Sequence, residues 1–118
     1  MSGEVREIGE ADFAAQVEGA GTPVVVDFFS TDCAPCEALA PIYERVAGEF
    51  GDRAAFVKIF RQGNRTLSER LAVKGSPTLL FYRDGKEAAP RLAGELKRSQ
   101  LKAAVRALLG DPPAEPRP

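Results

Sequence analysis

The run "TPVVVDFFS" at residues 22–30 narrows the fold more than any other stretch. A strand with one wet face alternates polar with apolar residues, so a nearly unbroken apolar, β-branched run marks a strand covered on both faces. Covering both faces takes helices on both sides of one sheet, and helical patterns lie on either side of the run. "EADFAAQVEG" pairs Phe13 with Val17 at the spacing of one helix face. From Ala34 onward, Leu39, Ile42, Tyr43, Val46 and Phe50 recur at spacings of three and four, which predicts a long amphipathic helix ending before Gly51. Pro41 lies inside that pattern and predicts a kink near Ala40, because proline removes a helical hydrogen bond.

The remaining elements follow the same logic. "EVREI" and "AAFVKIF" read as strands, and "NRTLSERLAV" reads as a short helix with a Leu67/Leu71 face. Asn64 is its expected cap, and Thr66 with Glu69 has the spacing of a capping box. "SPTLLFY" and "EAAPRLAG" read as strands joined by an Asp84-Gly85 hairpin, with Pro90 confining the second to an edge or bulge. "SQLKAAVRALLG" presents Leu101, Val105 and Leu108 on one face and is stopped by Gly110 and Pro112. Crossover helices early imply parallel pairing, and the tight hairpin late implies antiparallel pairing. The expectation is an α/β fold with a mixed five-stranded sheet flanked by four helices, one domain over residues 1–110. Residues 111–118, "DPPAEPRP", are too polar and proline-rich to pack and read as a disordered tail.

Composition removes several functions. The 118 residues are 44% hydrophobic and 28% charged, ordinary for one soluble domain, and a net charge of −1 steers the chain toward neither nucleic acid nor an anionic membrane. No apolar run approaches the roughly 20 residues that span a bilayer. The N-terminus has no basic start leading into an apolar stretch, so the chain reads as cytoplasmic. Histidine is absent, which excludes imidazole-assisted serine or cysteine nucleophiles. The two cysteines, Cys33 and Cys36, cannot by themselves fill a four-ligand zinc site, so a metal or cluster would need a second chain. A redox dithiol, an inert pair and a shared metal site remain open from spacing alone.

Four stretches, "VVVDFFSTDCAPCEALAP", "FVKIF", "GSPTLLFYRDGK" and "GELKRSQLKAAV", together resemble the thioredoxin family over roughly residues 5 to 110. The resemblance implies a protein disulfide reductase acting by thiol–disulfide exchange. Cys33 would attack from the first turn of the helix, where free N–H groups and the macrodipole favour thiolate, and Cys36 would resolve the mixed disulfide. Asp27, a charge inside the apolar strand, and Lys58 in "FVKIF" match the family's proton-transfer pair. Pro77 matches the family's cis proline, and Ser76 before it would offer backbone groups to an extended substrate. Gly94 matches a glycine near the substrate groove, although alone it reads as a turn. Asp32, Ala34 and Pro35 complete the implied substrate-binding set, with Pro35 also suited to the helix's first turn.

The expected partners are protein disulfides and a reductase or another dithiol protein as electron donor. No cofactor and no metal are expected, and the chain reads as a monomer. Three positions depart from the family pattern: Asp32 replaces the usual Trp, Ala34 the common Gly, and Glu37 a basic residue. The two carboxylates oppose thiolate formation, predicting a Cys33 pKa above the roughly 7 of thioredoxin and a strongly reducing couple. Asp32 also suits simple helix capping. Arg61 and Arg65, where the family often has acidic residues, read first as a solvated face and otherwise as a partner-specific rim. Two other activities stay open: a partner-binding module with a redox-switch dithiol, and a disulfide oxidase or isomerase.

Overall fold

A computed structural model describes residues 4–111. The central run forms β2, Val24–Phe29, whose first five residues are all buried. It pairs residue for residue and in parallel with β3, Ala55–Phe60, so Val24 faces Ala55 and Phe29 faces Phe60. β1, Val5–Ile8, lies parallel on the far side of β3. β4, Thr78–Arg83, runs antiparallel on the other side of β2. The resulting order, β1-β3-β2-β4 and then the outer edge, is the mixed sheet expected from the element order.

Alternation along these strands divides the core in two. Val25, Phe56, Leu79 and Phe81 point to one face, where they meet Leu39, Tyr43, Val46 and Phe50 of α2, Ala34–Phe50, and Leu101, Val105 and Leu108 of α4, Arg98–Leu109. Val24, Val26, Phe28, Val57, Ile59 and Leu80 point to the other, against Phe13 and Val17 of the first helix and Leu67 of α3, Arg65–Arg70. That first helix begins as α1, Glu10–Phe13, and continues as a wider π-turn over Ala14–Glu18. α2 runs unbroken across Pro41.

Details of three expectations differ. The strand foreseen over "EAAPRLAG" is two short pieces, β5 at Lys86–Glu87 and β6 at Leu92–Ala93, both on the open edge of β4, giving six strands rather than five. The Ala88 N–H still reaches the Phe81 carbonyl at 2.8 Å, and pairing then lapses across Pro90, which has no N–H to donate. The capping box at α3 does not form. Asn64 holds the cap position, but its side-chain oxygen accepts from the Glu10 N–H (2.8 Å) while Glu10 Oε1 accepts from the Leu67 N–H (3.1 Å). The starts of α1 and α3 therefore cap each other across the fold, a pairing that local spacing does not encode. Asp111, counted with the tail on sequence grounds, holds a paired contact to Arg53 at 2.7 Å. The rest of the expected tail, 112–118, lies outside the described residues.

The Asp84-Gly85 hairpin forms with φ of 56° and 80°, the left-handed pair a tight turn between twisted strands needs. A Cβ on Gly85 would stand 2.5 Å from the Glu18 carbonyl oxygen, so the position is barred by contact as well as by conformation. Gly85→Ala is expected to cost at least about 2 kcal/mol in urea unfolding. Gly48→Ala, in α2 with no atom within 4 Å of its added Cβ, is expected to gain about 0.5–1 kcal/mol. Similar changes for the two would contradict this account.

Candidate active site

The C-terminal ends of β2 and β3 and the segment entering β4 converge on the start of α2. Cys33 is the helix's N-cap residue, in extended conformation, and its sulfur accepts from the Cys36 N–H at 3.2 Å. This corrects the capping reading of Asp32, which stands one residue earlier, exposed, with a left-handed φ of 52°. Pro35 occupies the first turn, where its missing N–H costs no helical bond. Cys33 and Cys36 are joined as a disulfide. Cys36 is buried at 8% exposure and Cys33 is partly exposed, so an approaching partner reaches the Cys33 sulfur first.

Across from the dithiol, the Ser76–Pro77 peptide is cis, and the Ser76 carbonyl oxygen lies 3.5 Å from the Cys33 sulfur. A reduced Cys33 thiol at this place can donate to that carbonyl. The Gly94 N–H donates to the Pro77 carbonyl at 3.1 Å, and its φ of 78° suits glycine. Gly94 thus lies beside Pro77 through β6, not in a detached turn. Ala34 and Pro35 line a groove of about 450 Å³ with Ala38, Glu95, Leu96, Lys97 and Gln100.

Beneath the dithiol, Asp27 and Lys58 are register partners on β2 and β3, and they share a cavity of about 160 Å³ with Cys36, Glu37, Tyr43 and Glu44. Asp27 is 5% exposed, and its Oδ1 accepts no hydrogen bond among the described residues. Burial pushes its carboxyl up to about 7, with the Lys58 charge pulling the other way. The Lys58 ammonium sits 5.4 Å from the centre of the Phe29 ring. The Tyr43 hydroxyl, buried beneath, donates toward the Val57 and Val25 carbonyls at 2.7 and 2.9 Å, holding α2 against both strands.

Along nearly the whole chain the sequence fits one family: the family model described as Thioredoxin matches residues 4–107. The chain belongs to the thioredoxin family. It is 35% identical over 103 residues to the thioredoxin of Acidithiobacillus ferridurans, covering 87% of this chain and 94% of that one. To the thioredoxin of Haemophilus influenzae it is 33% identical over 98 residues, covering 83% and 91%. To thioredoxin X, chloroplastic, of Arabidopsis thaliana it is 35% identical over 108 residues, covering 91% of this chain and 59% of that protein. The chain thus spans less than two thirds of the plant relative and nearly all of the bacterial ones. Within the thioredoxin family, the Cys33–Cys36 pair makes this chain a thiol–disulfide oxidoreductase. No helix among the described residues is long and apolar enough to cross a membrane.

Of the two readings of Arg61, the structure departs from a fully solvated face: the side chain is partly buried, its Nε–H donates to Ser76 Oγ at 2.9 Å, and Ser76 Oγ also bonds Ser30 Oγ. Arg65 is exposed, as expected of a solvated face. Sequence reasoning passed over Ser30, Gln62 and Tyr43. Gln62 Oε1 accepts from both the Thr31 N–H (2.9 Å) and the Thr31 hydroxyl (3.0 Å), fastening the loop before Cys33. One signal was available for these: in-register parallel strands bring together the residues that follow them, here Ser30 and Thr31 with Arg61 and Gln62.

The Asp27 shift has a sign that can be checked. A folded-state value near 7 against an ordinary 3.8 means the native protein holds a proton that the unfolded chain releases in between. The stability contribution is therefore complete below pH 3.8 and is lost as pH rises toward 7. In the oxidised protein, Asp27→Asn removes this dependence. The variant's stability relative to the parent is expected to rise by on the order of 4 kcal/mol between pH 4 and pH 8, read by urea unfolding. A difference that stays constant with pH would show that Asp27 is not raised.

Proposed function

We propose that this chain is a protein disulfide reductase that acts on disulfides of extended protein segments. The observation that carries the reading is the partly exposed Cys33 sulfur, 3.5 Å from the carbonyl of the residue before a cis proline, with buried Cys36 behind it. In the reduced protein, the Cys33 thiolate attacks one sulfur of a substrate disulfide, and the other leaves as thiolate. Cys36 then attacks the Cys33 sulfur, releasing the substrate as a dithiol and leaving the Cys33–Cys36 disulfide. Two electrons from a reductase or another dithiol protein restore the thiols.

Within this reading, Asp27 takes up and returns the Cys36 proton, with a value near 7 suited to both directions at neutral pH, and Lys58 lowers the cost of its charged form. Ser76 and Pro77 align the substrate backbone, Gly94 holds their far side, and Asp32, Ala34 and Pro35 border the approach. The carboxylates of Asp32 and Glu37 disfavour the thiolate, which makes the couple more reducing. The reading places the protein as a monomer in the cytoplasm, where dithiols are kept reduced. Asp32, where the family usually has a Trp, favours a second reading, in which the dithiol switches the binding of one partner.

Reduction of insulin with dithiothreitol as donor tests the first reading. Cys33→Ser is expected to fall to the rate without protein, while Cys36→Ser is expected to accumulate covalent mixed disulfides with many substrates. The couple is expected at or below about −270 mV in thiol redox buffers. Capture of a single protein with no insulin turnover supports the binding reading, and a potential above about −180 mV makes the protein an oxidant or isomerase.

A further inference from the structure

The Ser30, Ser76 and Arg61 side chains form a hydrogen-bonded chain at the strand ends, and its middle member is the residue whose carbonyl touches the Cys33 sulfur. Arg61 is half-buried and opens the short 3-10 turn, Arg61–Gly63, after β3. Only its Nε–H is committed to Ser76. Among the described residues the ion pairs are Arg53–Asp111, Arg70–Glu18, Arg91–Glu87 and Lys102–Glu49, and none uses Arg61. The guanidinium is thus held in orientation at one edge while its terminal nitrogens keep the fork that binds a carboxylate through two parallel hydrogen bonds. Arg61 also lines an open pocket of about 310 Å³ together with Arg65 and Gln62. Glu69 is the one acidic residue lining it and forms no ion pair with Arg61.

We propose that Arg61 is a specificity residue, selecting protein disulfides that carry an aspartate or glutamate close to the cysteine attacked by Cys33. The proposal rests on the reductase reading, since it uses Ser76 as the place where the substrate strand lies. A strand paired with the Ser76 backbone brings a neighbouring side chain over the Ser76 Oγ, and the cation fixed to that oxygen is the first charge it meets. Burying an aliphatic side chain against a guanidinium whose fork stays unpaired costs desolvation, whereas a carboxylate replaces the lost water with charge-assisted bonds. A basic neighbour adds repulsion. Asp32 and Glu37 flank the dithiol in the loop before α2 and in its first turn, a different segment from the one that carries Arg61.

The test uses three disulfide-bridged peptides identical except for Glu, Gln or Lys beside one cysteine, reduced by the whole protein with dithiothreitol as donor. For the parent protein, kcat/KM is expected to be about tenfold higher for the Glu than for the Lys peptide at low salt, and the ratio is expected to shrink in high salt. In Arg61→Gln the Glu-to-Lys ratio is expected to fall below about twofold, while Arg61→Lys, which keeps the charge but not the fork, retains an intermediate ratio. The equilibrium of each variant's dithiol with glutathione is expected to shift less than about twofold, showing that selection and not driving force has changed. Equal rates for the Glu and Lys peptides in the parent, or an unchanged ratio in Arg61→Gln, overturn the proposal. Uniform slowing of all three peptides with the ratio intact also overturns it, since Arg61 would then act on the dithiol. No turnover of any peptide by the parent would instead overturn the reductase reading itself.

Discussion

The residue-for-residue parallel pairing of β2 with β3 sets the position of every group near the dithiol. It puts Asp27 opposite Lys58, both on the face that α2 covers, because Asp27 lies two residues from Val25 and Lys58 two residues from Phe56. It brings Ser30 and Thr31 level with Arg61 and Gln62: Gln62 bonds Thr31 directly, and Ser30 and Arg61 meet on the Ser76 hydroxyl. A slip of one residue would turn Asp27 toward the opposite core and empty the place beneath Cys36. The continuous burial that defines β2 is what forbids such a slip, since both faces are filled by side chains of fixed size.

A carboxyl inside that strand is costly, and nearby groups shape the cost without removing it. Asp27 has no hydrogen bond at Oδ1, and Lys58 reaches toward the Phe29 ring instead of forming a close ion pair with it. Desolvation therefore outweighs attraction and pushes the carboxyl up to about 7. Packing offsets the expense: Tyr43 ties the helix to both strands beside the cavity, and large apolar side chains crowd around it. The same helix begins at Cys33 and carries Cys36, so the Tyr43 bonds fix the reacting sulfurs relative to the strand that bears Asp27.

Much of this was legible in the residues, and the limits have physical causes. β2 declared itself through unbroken hydrophobicity, α2 through spacing, and the hairpin through Asp84-Gly85, all signals that act within a few residues of chain. The two-piece edge strand was only half legible: Pro90 announced an interruption, but where pairing resumed depended on β4. Asn64 looked like a self-contained cap, and instead its side-chain oxygen accepts from the Glu10 N–H, a partner 54 residues away. Arg61 looked like surface because charge alone does not say where a long side chain ends, and only the meeting of two strand ends brings Ser76 within its reach. The dithiol, Asp27, Lys58 and Pro77 were picked out by family resemblance. Their arrangement around one cavity and one carbonyl is a matter of tertiary register.

Division of the interior into two cores by the sheet has a consequence for how such a chain tolerates change. Asp27, Lys58, Cys36 and Tyr43 belong to the side that α2 covers, whereas the side formed by Phe13, Val17, Val26, Val57, Ile59 and Leu67 holds none of them. Substitutions there reach the reacting sulfurs only by moving a strand, and strands locked in place on two edges move little. The second core is accordingly the part of the molecule in which thermal robustness and catalytic tuning can be optimised separately, by repacking one while leaving the other as it is.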